Sequence, residues 1–216
     1  MDTSDSSLSR NGRGSDAPFR SWTHLRVDRR SAGYCRVTFD HPPSNAITAT
    51  TVAELAELVG LIEQDPDLNV VVFDSSNPAF YLADRDAEED PAWIDLLVRL
   101  ARAPAVSIAA IRGRAHGAGI EFALACDLRF ASRENTLLGR FGVGSDRLRR
   151  TVGRGRALEL ALVADDLEGP RAEQYGCINR LIADDRLDGE VDAMASRLAR
   201  RDHEVIARAK SSVDRA

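Results

Sequence analysis

The chain has 216 residues, of which 44% are hydrophobic and 29% are charged, so it is long enough for one sizeable core. A net charge of −5 gives no general reason to expect nucleic-acid binding, and no apolar run approaches the length of a membrane span. The three cysteines form no CxxC pair and the N-terminus lacks the apolar segment of a signal peptide, so we expect a cytoplasmic protein with reduced thiols.

The first half of the chain predicts alternating strands and helices. Residues 1–21 are rich in Ser, Asp, Gly and Arg, and we expect a disordered tail. An alternating, β-branched segment at 34–40 predicts a strand. Thr51 and Glu54 form a capping-box pattern that predicts the start of a helix. The continuous apolar run at 68–74 has the length of a strand buried on both faces.

The middle of the chain continues this alternation. Apolar residues at helical spacing predict a helix over 92–102, and another buried strand is predicted at 105–111. Small and glycine residues at 113–119 predict a turn. A short apolar helix at 120–126 and a strand at 128–132 follow.

The C-terminal third is predicted to be mainly helical, with one strand. The regular alternation before it indicates an α/β protein with largely buried strands. The predicted elements here are helices at 156–164 and 170–176, a strand at 177–182, and amphipathic helices near 186–200 and 203–213.

The segment RAHGAGIEFALACD at 114–127 places three small residues just before an acid. At a helix start, Gly117, Ala118 and Gly119 would leave backbone N–H groups unshielded, and these could hold an oxygen that gains negative charge. Glu121, about one turn later, could then exchange the proton. The alternative is that the small residues serve close packing and that Glu121 only compensates the helix dipole.

Other motif searches point to no competing chemistry. The chain contains no GxGxxG, GxxxxGK or GxSxG pattern, and its four histidines show no metal-ligand spacing. The basic run RLRRTVGRGR at 147–156 is typical of a solvated face. It could instead neutralise a phosphate-bearing ligand, and nucleic acid is a weaker third option.

Four segments in the right order resemble the enoyl-CoA hydratase/isomerase (crotonase) superfamily. The signature segment is APAVSIAAIRGRAHGAGIEFALACDLRFAS, at 103–132. The supporting segments are FDHPPSNAIT, LNVVVFDSSNPAFYLADRD and VGRGRALELALVADDLEGPRAEQYGCINRLI. The resemblance runs from about Trp22 to the C-terminus.

The resemblance implies a crotonase-like spiral of ββα units over 22–183, followed by a C-terminal helical oligomerisation region at 184–216. It implies an acyl-CoA thioester as substrate, with coenzyme A as part of that substrate and no other cofactor or metal. It also implies a homotrimer or a dimer of trimers, with neither nucleic acid nor membrane as a partner.

The resemblance further assigns roles to individual residues. The backbone N–H groups of Ala118 and Asp84 are implied to form an oxyanion hole, and Glu121 to transfer protons. The implied substrate-binding residues are Asn45, Ala46, Leu82, Ala83 and Gly117.

The chain departs from the family pattern where a second glutamate is expected. Gly142 occupies that position, the glycine-rich stretch that normally follows is absent after Gly144, and the loop after Asp86 is short. Hydration needs water activation as well as protonation of carbon, so one role is left unassigned. Moving a double bond, or protonating an enolate formed by decarboxylation, needs fewer groups.

We therefore expect an enzyme of enoyl-CoA hydratase/isomerase type that uses a single glutamate. The alternative is a catalytically impaired member that binds acyl-CoA or serves as an oligomer subunit. A truncated relic that folds poorly is a third possibility. The serine peptidases that share the spiral fold need a nucleophile and a histidine, and neither is at the right place here.

Overall fold

The computed structural model describes residues 22–77, 79–82, 90–139, 141, 145–163 and 166–214. These segments contain ten strands, numbered here in chain order: β1 (Leu25–Ser31), β2 (Tyr34–Phe39), β3 (Val70–Ser75), β4 (Ala79–Leu82), β5 (Val106–Ile111), β6 (Arg114–His116), β7 (Leu128–Ser132), β8 (Leu137–Gly139), β9 (Asp166–Glu168) and β10 (Arg180–Ile182). They also contain eight α-helices: α1 (Ala49–Gln64), α2 (Pro91–Arg102), α3 (Ala118–Ala125), α4 (Asp146–Val152), α5 (Arg154–Leu162), α6 (Gly169–Tyr175), α7 (Leu187–Ala199) and α8 (His203–Asp214). None of these helices is long and apolar enough to cross a lipid bilayer.

The strands form two sheets. The larger sheet has the order β1-β2-β3-β5-β7-β10, and its neighbouring strands are parallel except for the β1–β2 pair. The smaller sheet has the order β4-β6-β8-β9; its first three strands run parallel, and β9 runs antiparallel to β8. Helices that connect parallel strands are typical of α/β proteins, so the predicted fold class is confirmed.

β3 is apolar on both faces because both faces are covered. On one face, Phe73 packs against Phe39 and Phe122 with ring centroids 6.2 and 5.0 Å away. On the other face, Val70 and Val72 share a buried cluster with the inner side of α7, which contributes Leu187, Val191 and Ala195. The continuous apolar run that predicts a doubly buried strand is explained by this arrangement.

A buried charge cluster also ties α7 to the larger sheet. Arg36 lies on β2 and is 7% exposed, and its Nε donates to Asp74 at 2.7 Å. Its terminal nitrogens donate to Asp188 and Asp192 of α7 at 2.7 and 2.9 Å. The hydroxyl of Tyr34 also donates to Asp192. Three carboxylates around one guanidinium compensate its charge, which makes its burial tolerable.

The structure corrects the predicted start of α1. The helix begins at Ala49, three residues before the predicted position, because Thr48 is the N-cap and Thr51 is its capping-box partner. Glu54 has a different role from the predicted one. Its carboxylate accepts hydrogen bonds from the amides of Thr23 and the following residue at 2.6 and 2.9 Å.

Six elements escape the sequence prediction, and all of them are short or rich in charge: β1, β4, β6, β8, β9 and α4. β1 is an edge strand that carries arginine and aspartate at its exposed positions. β6 lies inside the segment predicted as a turn, and α4 lies inside the basic run. Strands of three or four residues are too short to show a clear alternation.

A largely buried ion pair holds α8 against the strands. The Lys210 side chain is 9% exposed, its Nζ lies 2.8 Å from Asp127, and it donates to the carbonyl of Ala105 at 3.1 Å. Asp127 also accepts from the amide and the hydroxyl of Ser107 at 2.7 and 2.9 Å. Since Ser107 lies on β5 and Asp127 immediately precedes β7, one carboxylate joins two strands and a helix.

Replacing Lys210 by methionine keeps an unbranched side chain but leaves Asp127 without its cation. We expect Lys210→Met to lower the free energy of unfolding by about 1–3 kcal/mol, because removing one partner leaves a poorly solvated charge. Urea unfolding followed by circular dichroism measures this loss. Arg150→Met is the control, since Arg150 is 71% exposed in its pair with Asp146 and its removal should cost less than about 0.5 kcal/mol. Equal losses would contradict the prediction.

Candidate active site

Three parallel strands of the smaller sheet end at the same edge. Leu82 at the end of β4 is paired with His116 at the end of β6, and His116 is paired with Gly139 at the end of β8. The chain therefore enters the segments that begin at Ala83, Gly117 and residue 140 from neighbouring positions. The crevice outside the carboxyl ends of parallel strands is a frequent place for ligand binding.

Gly117 turns the chain from β6 into α3. Its φ of 55° and ψ of −124° favour glycine, which has no Cβ to clash. Its carbonyl accepts from the amides of Ile120 and Glu121 at 2.9 and 3.3 Å. The amides of Ala118 and Gly119 meet no acceptor among the described residues. These two amides carry the partial positive charge of the helix N-terminus.

Glu121 presents a largely buried carboxyl group in the first turn of α3. Its side chain is 14% exposed, and Oε1 is buried with no hydrogen-bond partner among the described residues. Burial raises the pKa of this carboxyl group above its usual value, whereas Ser145 and Arg147 act in the opposite direction. A carboxyl group with a raised pKa is better matched to proton exchange near neutral pH than an exposed one.

Arg147 approaches Glu121 from α4. Its Nη1 lies 3.8 Å from Oε2 of Glu121, and its side chain is 27% exposed. The N-cap of α4 is Ser145, whose Oγ accepts from the amide of Leu148 at 3.1 Å. The buried side chain of Leu148 fixes the same helical turn from the other side. Arg147 is thus held beside the carboxyl group by a capped and packed turn.

The rest of the basic run has partners at the surface. Arg149 and Arg150 donate to Asp146 at 2.6 and 2.7 Å. The guanidinium of Arg156 lies 4.7 Å from the centre of the Tyr175 ring. These contacts agree with the interpretation of the run as a solvated face, apart from its first residue.

Sequence reasoning missed Arg147 as a site residue. A signal for its helix was present, because Ser145 precedes Leu148 and Val152 at helical spacing, which is a pattern typical of a helix start. The position of that helix beside Glu121 depends on tertiary packing, which no local pattern reports.

Asn45 is fully buried in a left-handed conformation, with φ of 50°. Its Oδ1 accepts from the amide of His41 at 2.9 Å and from Asn77 at 2.7 Å. Its Nδ2 donates to Ser75 at 2.7 Å and to the carbonyl of Phe80 at 3.3 Å. Asn45 therefore fixes the connection that leads into β4, while its contact with substrate stays a prediction.

The remaining predicted site residues are only partly described. Ala46 is exposed beside Asn45, and Leu82 is described as backbone of β4. Ala83 and Asp84, together with Gly142 at the position of the second acid, lie outside the described residues.

The acids considered as substitutes for the second glutamate have partners elsewhere. Glu134 accepts from the amide of Asp184 at 2.9 Å, and Glu159 accepts from Arg171 and from the hydroxyl of Tyr175 at 2.8 and 2.9 Å. Asp146 is engaged by the surface arginines of α4. None of these three contacts leads to Glu121.

The chain is similar to several known proteins. Residues 29–216 match the family model described as Enoyl-CoA hydratase/isomerase. A "Probable enoyl-CoA hydratase" from Rhizobium meliloti is 31% identical over 199 residues, which are 83% of this chain and 77% of that protein. A crystal structure from Streptomyces avermitilis, provisionally assigned as an enoyl-CoA hydratase, superposes with a TM-score of 0.82 at 35% identity, over 91% of this chain and 79% of its own. The enoyl-CoA hydratase of Mycobacterium smegmatis superposes with a TM-score of 0.81 at 27% identity, over 89% of this chain and 83% of its own.

Asn45→Ala removes the side chain that links the turn after β2 to the start of β4. We expect it to lower the free energy of unfolding by about 2–4 kcal/mol, because buried donors and acceptors lose their partners. Thermal and urea unfolding measure this loss. Asn135→Ala is the control, because Asn135 is exposed and its loss should change stability by less than about 0.5 kcal/mol. Similar stability of both variants would contradict the positioning role of Asn45.

Proposed function

Because the chain belongs to the enoyl-CoA hydratase/isomerase family, we propose that it binds an acyl-CoA thioester and stabilises the enolate of that thioester at the N-terminus of α3. The crotonase-like fold predicted from the sequence is confirmed by the structural relatives. The observation that carries the proposal is the pair of unbonded amides at Ala118 and Gly119, beside the largely buried Glu121.

The amide of Ala118 is proposed as one donor of the oxyanion hole. It lacks an acceptor among the described residues, and it belongs to the positive end of a helix. The amide of Asp84 is proposed as the second donor. Its support is the register of the smaller sheet, since β4 ends beside β6 and Asp84 follows two residues later. Donors held in place before the reaction stabilise negative charge without reorganising.

Glu121 is proposed as the group that moves the proton. As a base it removes a proton from the α-carbon, and the electron pair passes to the thioester oxygen. As an acid it returns a proton to carbon, and the enolate collapses to the thioester. One carboxyl group can perform both steps in turn, because the first leaves it protonated for the second.

A single acid favours isomerisation or enolate protonation over hydration. Hydration requires a second group that activates water, and the three candidate acids have other partners. The reaction class proposed here is therefore movement of a double bond, or protonation of an enolate, within an acyl-CoA. The acyl-CoA binder without turnover is kept as the second candidate, on the observation that Gly142 stands at the position of the second acid.

Cytoplasmic location and assembly into trimers remain proposals. Relatives include proteins named as mitochondrial and bacterial ones, so location varies within the family. α8 leaves two large apolar residues exposed, Val205 and Val213, which agrees with a helical oligomerisation region at 184–216.

Replacing Glu121 by glutamine removes the proton-transfer group while preserving its shape. We expect Glu121→Gln to lower kcat on short- and medium-chain enoyl-CoA thioesters by about 10²–10⁴-fold. Isomer formation and hydration are followed separately by chromatography of the acyl-CoA products. Glu159→Gln is the matched control, since Glu159 is held by Arg171 and Tyr175, and it should retain wild-type turnover.

Equal rates for wild type and Glu121→Gln would remove Glu121 from the mechanism. Thermal stabilisation by acyl-CoA without any turnover would favour the binding-only candidate. Absence of both binding and turnover would contradict both candidates.

Proline at position 118 tests the proposed oxyanion donor. Ala118 is the first helical residue of α3, a position where proline is tolerated, so Ala118→Pro removes the N–H group at the place least harmful to the helix. We expect kcat to fall by about 10²–10³-fold. Ala118→Gly retains the N–H group and serves as the control. A folded proline variant with wild-type kcat would exclude Ala118 as a donor.

A further inference from the structure

We propose that Arg147 is a positioning residue for Glu121, holding its carboxyl group at the start of α3 and favouring its anionic form before the substrate proton is taken. This inference rests on the proposed function for its kinetic part only. The structural part rests on the geometry of α3 and α4.

The first observation is the isolation of the pair. Nη1 of Arg147 lies 3.8 Å from Oε2 of Glu121. No other carboxylate lies within ion-pair distance of Arg147 in the described segments. This distance is too long for a direct hydrogen bond, so the two groups attract each other as charges. The carboxyl group therefore remains free to receive a proton.

The second observation is the contrast between Arg147 and its neighbours. Arg149 and Arg150 lie on the same helix, are 57% and 71% exposed, and share Asp146. Arg147 is 27% exposed and faces an acid that is 14% exposed. Coulombic attraction is stronger between partly buried charges than between exposed ones, because water screens them less.

The other elements that contact α3 offer no competing charge in the described residues. On α2, Arg99 is paired with Glu63 at 2.7 Å. On β6, Arg114 is paired with Asp166 at 2.9 Å. α2 also carries Asp95 and Arg102, and β6 carries His116, which has an interaction of its own; β4 contributes no charged residue.

The electrostatic consequence has a definite sign. Burial raises the pKa of Glu121, and Arg147 counteracts that rise. Removing the guanidinium therefore leaves the carboxyl group protonated over a wider pH range. In the kinetic profile, the limb that reports Glu121 moves to higher pH, whether Glu121 starts as base or as acid.

The experiment compares wild type, Arg147→Gln, Arg147→Lys and Arg149→Gln. The carboxyl group of Glu121 is followed by ¹³C NMR in protein labelled at glutamate, and its resonance is identified by its loss in Glu121→Gln. We expect its titration to move to higher pH in Arg147→Gln. Arg147→Lys, which keeps the charge, should bring it back toward wild type, and Arg149→Gln should leave it unchanged.

The kinetic arm measures kcat/KM for a short-chain enoyl-CoA against pH with the same four proteins. We expect Arg147→Gln to lose activity at neutral pH and to recover part of it as the pH rises. An identical Glu121 titration in wild type and Arg147→Gln overturns the inference. So does an equal loss of folding or activity in the glutamine and lysine variants, because that outcome assigns Arg147 a purely structural role. If wild type turns over no enoyl-CoA, the proposed function fails, while the NMR titration still decides the role of Arg147.

Discussion

The burial of one carboxyl group at the start of a short helix is the constraint on which the arrangement of the smaller sheet depends. Apart from Glu121, every residue of α3 is buried, so the helix carries its acid into an environment that resists charge. The tolerance of that acid depends on what lies around it: helix amides before it and a guanidinium beside it. Gly117 is the residue that makes this approach possible, because its backbone conformation is one that other residues rarely adopt.

The same constraint explains why the loss of a second acid does not leave the site without possible chemistry. Two carboxyl groups in one cavity raise each other's pKa and divide the proton-transfer roles. With one carboxyl group, a nearby cation is compatible with the site, and Arg147 takes that place. Such a site suits a proton that leaves one carbon and returns to another. Family membership alone does not distinguish these chemistries, since the fold supports both.

Sequence patterns predicted the buried strands well and the charged or short elements poorly. β3 and β5 were recognisable because both of their faces are covered, which produces long apolar runs. β1 lies at an edge, so its charged residues obscured the alternation. Glu121 and Ala118 were identified from a local motif together with a family resemblance. Arg147 was not, because its relation to Glu121 arises only when α4 packs on α3, and such non-local contacts leave no periodic signal.

The ion pair between Lys210 and Asp127 has a consequence for the order of folding during synthesis. Lys210 contacts the carbonyl of Ala105, which lies 105 positions earlier in the chain. The ribosome adds about 5–20 residues per second, so β5 waits several seconds or more for this contact after it emerges. During that interval the carboxylate of Asp127 has only the serine on β5 as its partner. The nascent protein therefore passes through a stage in which its parallel strands are assembled but not yet locked, and chaperones have their opportunity to act there.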